Sequence, residues 1–151
     1  MSFDNPRGTR GRRQPKGRLV AWFNRTMAKR AGRRGSMMGM SVLSLITIGR
    51  KSGQERRTPL ARFPGPDGSF LIVASAAGAQ QNPAWYLNLA ANPERVRVEV
   101  EGRSIDVIAE ELHGQERSQA WDQILAASPN FANYEKRTDR EIPVIRLKPR
   151  G

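Results

Sequence analysis

Cysteine is absent from this 151-residue chain, and histidine occurs once, as His113. Without a thiol there is no thiolate nucleophile, no disulfide, no zinc finger and no iron–sulfur ligation. A single histidine excludes a His-rich metal site and leaves one candidate for a Ser-His-Asp triad, so no metal ligands are expected. Also missing is any apolar run of the ~18 residues that a membrane span needs. No apolar h-region follows the first charges, so the expected location is the cytoplasm. There is no internal repeat, no aromatic cluster of the RNA-recognition type and no helix-turn-helix pattern, which argues against sequence-specific nucleic-acid readout. The length suits about one domain.

Acidic residues are scarce at one end only. Residues 1–40 hold 11 Lys/Arg and one acid, Asp4, for +10; residues 41–151 hold 15 Lys/Arg and 13 acids, for +2. Within the second part, Arg50, Lys51, Arg56 and Arg57 stand against Glu55, a local +3. The chain therefore divides into a basic arm and a near-neutral domain with one basic loop. Residues 1–17 lack apolar periodicity and are expected to be a disordered arm. Over 18–34, Leu19, Phe23 and Met27 recur at helical spacing beside Val20 and Ala31, with Gly32, Gly35 and Gly39 expected to end the helix. A basic amphipathic helix carrying Trp22 either docks its stripe on the domain core or lies on an anionic membrane surface, reached through residues 7–34. Such a partner would place the chain at the inner face of the cell membrane.

The domain, 18–151, alternates strand and turn signals. Ser41–Ile48 is apolar and β-branched, the mark of a buried strand, and Gly49–Gly53 is a turn. Residues 56–63 extend with Pro59 at an edge or bulge, and a Pro-Gly-Pro-Asp-Gly turn pairs them in a hairpin with Phe70–Ser75. Asn82-Pro83 reads as an N-cap and first helical residue opening a short helix through Leu89. Val96, Val98 and Val100 alternate with charges and form a hairpin with Ser104–Glu111 across Glu101-Gly102. Gln115–Ala127 is helical with Trp121, Ile124 and Leu125 on one face, and Ile142–Leu147 is a last strand. The expected class is α+β: six antiparallel strands closed into a small barrel, with peripheral helices.

Residues 49–53, Gly-Arg-Lys-Ser-Gly, are not a Walker A loop, since the glycine spacing is wrong and Pro59 prevents a following helix. Two glycines, two cations, a hydroxyl and Arg56 nevertheless suit a phosphate or carboxylates at a strand–turn–strand corner; the same residues also read as a solvated turn. The small residues of 75–79 let a planar ligand approach the backbone near Trp85 and Tyr86, or those rings form the buried face of a short helix. His113, beside Gly114, reads as a cap or loop residue. Tyr134 can donate a proton or a hydrogen bond, and Asp139 and Arg140 are expected to pair or cap.

Three blocks in this order resemble the deazaflavin (F420)-dependent nitroreductase family. They are Gly49-Arg50-Lys51-Ser52-Gly53 with Arg56 and Pro59; Val73-Ala74-Ser75 with Gly78; and residues 82–89 with Ala91-Asn92-Pro93. The resemblance runs from about Arg18 to the end, including Thr138-Asp139-Arg140 and Ile142-Pro143. It implies a split β-barrel that binds coenzyme F420 and passes hydride from its reduced form to a quinone, nitro compound or activated enone. Carried onto this chain, it makes Arg50, Lys51, Ser52 and Arg56 the residues for the anionic tail. Arg57, Thr58, Pro59, Val73, Ala74, Ser75, Ala76, Ala84, Trp85, Tyr86, Leu87, Asn88 and Phe131 complete the coenzyme site, with Ser75 and Tyr134 as catalytic residues. The chain departs from the family where a Lys usually follows the loop Ser, a position held here by Ala76. It departs again in the C-terminal segment, where Ser128 and Phe131 replace tyrosines and Tyr134 remains; this favours a quinone or enone acceptor over bicyclic nitroimidazoles. The alternatives are an FMN-dependent oxidoreductase on the same barrel and a non-enzymatic basic protein binding nucleic acid or a membrane surface.

Overall fold

A computed structural model describes residues 3, 26–33, 36–37, 40–75, 82–138 and 140–150. Helix α1 covers 26–33, followed by β1 (Ser36–Met37), β2 (Met40–Ile48), β3 (Glu55–Ala61), β4 (Phe63–Pro64) and β5 (Phe70–Val73). Then come α2 (Ala84–Ala91), β6 (Val96–Val100), β7 (Arg103–Glu111), α3 (Gly114–Ala127), α4 (Asn130–Arg137) and β8 (Val144–Pro149). All strand pairs are antiparallel, in the order β1-β2-β6-β7-β8-β5-β4, with β3 also on β2. The expected α+β class holds. Two additional two-residue strands, β1 and β4, bring six expected strands to eight.

The sheet curls because one stretch of chain serves both of its ends. Residues 55–61 pair with β2, and after Arg62 the same stretch pairs with β5 as Phe63↔Leu71 and Pro64↔Phe70. The hairpin expected between 56–63 and 70–75 is thus confined to the two residues of β4; seven residues of β3 instead return along β2 from the Gly49–Gly53 turn. Arg62 fixes the switch, its backbone N–H donating to Ser41 O and its Nε to Val42 O, both at 2.9 Å. Pro59 is tolerated because β3 has β2 as its only ladder partner among the described residues, so a missing N–H can face away from the ladder. At Glu101 (φ 51°) and Gly102 (φ 80°) the β6–β7 turn takes left-handed conformations that glycine accepts without strain.

Period-two alternation sorts the side chains. Val96, Val98 and Val100 enter one core together with Leu43, Leu45, Ile72, Ile145, Leu147 and, from α2, Trp85, Tyr86 and Leu89. Leu71, Val73 and Val144 point to the opposite face, where α3 and α4 add Trp121, Ile124 and Phe131 to a second core. Strands β5 and β8 separate the two cores, which is why they read as continuous apolar runs. Each fully buried Leu or Ile contributes about 1.5–3 kcal/mol.

Two expectations about the ends of elements are corrected. Gly32 does not end α1. It lies within it, where a Cβ would come 2.9 Å from Glu99 Cβ; glycine is what lets the helix approach β6. Asn82 does not cap α2, whose N-cap is Pro83, because its side chain is held elsewhere (below). Helix α4 was not expected, since its residues are mostly polar and only Phe131 and Tyr134 mark its inner face. In α1 itself, Ala28 and Ala31 are fully buried, as docking on the domain requires. Residues 18–25 and 34 of the expected helix lie outside the described residues, as do Gly35, Gly39 and the arm except for Phe3. The Phe3 ring packs edge-on against Tyr86 with centroids 5.8 Å apart. No helix among the described residues is long and apolar enough to cross a membrane.

Candidate functional site

The turn between β2 and β3 is built by its glycines and one serine. Gly53 adopts φ +70° and donates its N–H to Gly49 O at 2.8 Å. A Cβ on Gly49 would lie 2.6 Å from Ser52 Oγ. That hydroxyl accepts from the Gln54 N–H at 3.2 Å and from Arg56 Nη2 at 3.4 Å, so it fixes both the turn and the first cation of β3. From across the molecule, Asn88 of α2 accepts the Arg50 N–H on Oδ1 at 3.1 Å. The turn and the helix are thereby joined along a groove of about 540 Å³, lined by residues 49–52 and 55–58 together with Ala84, Trp85 and Asn88. This volume lies within the range of ordinary small-molecule sites.

The groove is electropositive for a local reason. Glu55 is engaged by Arg97 at 2.8 and 3.3 Å, and Arg57 by Glu99 at 2.8 Å; both pairs cross β2 from β3 to β6. Arg57 and Glu55 share one side of β3 by alternation, while Arg56 and Thr58 take the side of Leu60, which packs on the first core. Arg50, Lys51 and Arg56 have no ion pair with an acid among the described residues. Three cations, the Ser52 hydroxyl and a glycine turn make a donor set suited to a phosphate or several carboxylates.

Of the residues expected at the site, the groove brings together Arg50, Lys51, Ser52, Arg56, Arg57, Thr58, Ala84, Trp85 and Asn88. Pro59 follows them in β3, paired with Ser44. The remainder do not line it. Val73 points into the second core, and Leu87 is exposed on α2. Tyr86 is buried, with its hydroxyl donating to Glu111 Oε1. Phe131 packs edge-on to Phe63, Trp121 and Tyr134, the last with centroids 5.4 Å apart, which places Tyr134 in the second core's aromatic cluster. Ala74 and Ser75 are buried at the start of the segment leading to α2; Ala76 and Asp139 lie outside the described residues.

The residue that sequence reading undervalued is Arg140. It is 5% exposed, and its guanidinium donates to Ala74 O (3.0 Å), Ser75 O (2.6 Å) and Asn82 Oδ1 (2.8 Å). Burial lowers its pKa to about 10, opposed by Tyr86, so it remains a cation at neutral pH. Glu111 was also missed, although the signal was there: it continues the inward alternation of Val107 and Ala109, where a carboxylate needs a partner. His113 stands at the N-cap position of α3 with Nε2 3.7 Å from Glu111 Oε2, as a cap or loop residue would.

Comparison with known proteins points one way. The model of the F420H(2)-dependent quinone reductase family matches residues 16–149. An F420H(2)-dependent quinone reductase of Mycobacterium tuberculosis is 37% identical over 111 residues, 72% of this chain and 73% of that protein. The solved structure of an F420-H2 dependent reductase, FDR-A, is similar with a TM-score of 0.64 and 38% identity, covering 71% of this chain and 93% of its own. A second, described as a domain-swapped dimer, has a TM-score of 0.65 and 34% identity, covering 87% of this chain and 100% of its own. With the match spanning nearly the whole domain, the chain belongs to the F420H(2)-dependent quinone reductase family.

Proposed function

We propose that this protein is an F420-dependent oxidoreductase that reduces a quinone-type organic acceptor, with the groove between the Gly49–Gly53 turn and α2 as its coenzyme site. The observation that carries this reading is the convergence on one groove of Arg50, Lys51, Arg56 and Ser52 from the turn and Ala84, Trp85 and Asn88 from the helix. The donor set fits the coenzyme: its tail carries a phosphodiester and glutamates, and the groove offers cations and a hydroxyl at one end and a flat indole at the other. When bound and reduced, the deazaflavin supplies a hydride as a two-electron unit, so the protein needs neither thiol nor metal. Its own residues bind, orient and exclude water. Arg50, Lys51, Ser52 and Arg56 would hold the tail, and Ala74, Ser75, Ala84, Trp85 and Asn88 would border the ring. Ser75 and the half-buried Tyr134 are the hydroxyls assigned to the acceptor, with Tyr134 able to donate the proton that a reduced quinone oxygen takes up.

The curled sheet is read as the six-stranded split β-barrel of such enzymes, with β1 and β4 as short extensions. A cytoplasmic location, with residues 7–34 touching an anionic membrane surface, accords with the +10 of the first forty residues. Retention of the full chain, but not of a form starting near Met38, on anionic liposomes tests that contact.

The deciding experiment is a fluorescence titration with F420. The expected result is saturable binding that weakens with salt and with Arg50→Ala; absence of binding overturns the proposal. A copurifying flavin with the absorption of FMN would support the alternative cofactor instead.

A further inference from the structure

We propose that Arg140 is a positioning residue for the coenzyme site: it buckles the chain between β5 and α2 at both ends and thereby fixes where α2 meets the groove. One end of that connection is Ala74-Ser75, whose carbonyls accept from Nη1 and Nη2; the other is Asn82, whose Oδ1 accepts from Nη1. Only a planar fork with several fixed donors reaches three acceptors in this arrangement; a lysine ammonium is a single point on a flexible stem. All three bonds are charge-assisted, because the buried guanidinium stays protonated at neutral pH.

The base of the buckle is itself fixed. Arg140 N–H donates to Thr138 Oγ1 at 3.3 Å, and Ala74 N–H donates to Pro143 O at 2.9 Å, tying the segment before β8 to the segment after β5. The free end of the connection enters α2 two residues after Asn82. Helix α2 is a rigid eight-residue unit whose Ala84, Trp85 and Asn88 line the groove, and Asn88 in turn receives the Arg50 N–H. A displacement at Asn82 is therefore carried through α2 to Ala84, Trp85 and Asn88, the ring side of the groove. Arg140 itself does not line the groove, so its effect is on placement and not on contact.

This inference rests on the proposed function for its ligand but not for its structural content, and the test has two arms. The first uses full-length protein without coenzyme and follows amide hydrogen exchange in wild type, Arg140→Lys and Asn82→Ala. Exchange in α2 is expected to accelerate about tenfold or more in Arg140→Lys, and by a smaller factor in Asn82→Ala, while β6, β7 and α3 keep their protection. Unchanged exchange in α2, or loss of protection throughout, overturns the buckle. The second arm titrates F420 and its tail-free deazaflavin chromophore. Arg140→Lys is expected to weaken both by the same factor of about ten, leaving the ratio of their Kd values at the wild-type figure. A changed ratio, or wild-type affinity for both, would mean that Arg140 does not place the ring side of the site. If wild type binds neither ligand, the proposed function falls, and the exchange arm alone decides the buckle.

Discussion

Asn88 and Arg50 lie 38 residues apart in sequence, yet the Asn88 side-chain oxygen accepts the Arg50 backbone N–H at 3.1 Å. The bond joins a helix buried against the sheet to the exposed cationic turn. It turns two local features, each unremarkable in the sequence, into opposite walls of one groove.

Replacing Asn88 with Ala removes that bond and leaves the half-buried Arg50 N–H without its acceptor. The net loss is about 1 kcal/mol of stability. Coenzyme affinity should fall several-fold more than stability alone accounts for, because the turn is no longer held at the helix. Urea unfolding together with F420 titration separates the two effects; equal affinity in the variant would dissociate the turn from the site.

Neighbouring arginines should behave differently. Arg57 is engaged with Glu99 across β2, whereas Arg56 faces the other side of β3 with Ser52 as its partner. Arg56→Ala is expected to weaken F420 binding about tenfold, the loss of one charge-assisted contact, and to flatten its salt dependence. Arg57→Ala, whose charge in the groove is already balanced by Glu99, should weaken binding less than Arg56→Ala and cost less than about 1 kcal/mol, since its ion pair is partly exposed. Titration at two salt concentrations distinguishes them, and a larger effect at Arg57 would reverse the assignment.

Tyr86→Phe deletes the phenol that donates to the buried Glu111 carboxylate. Removing a donor from a buried acceptor costs about 1–3 kcal/mol, more for a charged one. The variant should unfold at lower urea with an unchanged slope, and a change below about 0.5 kcal/mol would show that Glu111 is satisfied without Tyr86.

The pH dependence of the Arg140 contribution follows from its lowered pKa. The unfolded chain holds this proton longer than the folded one, so between about 10 and the unfolded-state pKa this group alone makes stability rise with pH. Below about 9, folded and unfolded states are both fully protonated at this site. The stability difference between wild type and Arg140→Gln should therefore be flat from pH 6 to pH 9. A slope in that window would assign the titration to another group.

Much of the chain was legible before any tertiary information. The valines of β6 alternate with charges, so the strand and its inward face follow from period two alone. The Gly-Arg-Lys-Ser-Gly turn, the Glu101-Gly102 turn and the apolar face of α3 follow from equally local chemistry. The uneven partition of +12 likewise needs nothing beyond counting. What periodicity does not contain is the partner. Residues 56–63 read as one extended strand facing the next turn, yet six of them pair backwards with β2 and only Phe63 with β5, because register is settled by which neighbour buries the shared face. The same holds for single charges. Arg56 and Arg57 are indistinguishable as letters and both line the groove, and only the sheet pairs Arg57 with Glu99 while Arg56 meets the Ser52 hydroxyl. In the sequence, Arg140 reads as a residue that pairs with Asp139 or caps. Long-range folding instead brings the carbonyls of residues 74 and 75 and the amide of residue 82 to within reach of its guanidinium, where the loss of water is offset by charge-assisted bonds. Local sequence decided which residues could bind an anion and a flat ring; tertiary structure decided which of them share a wall.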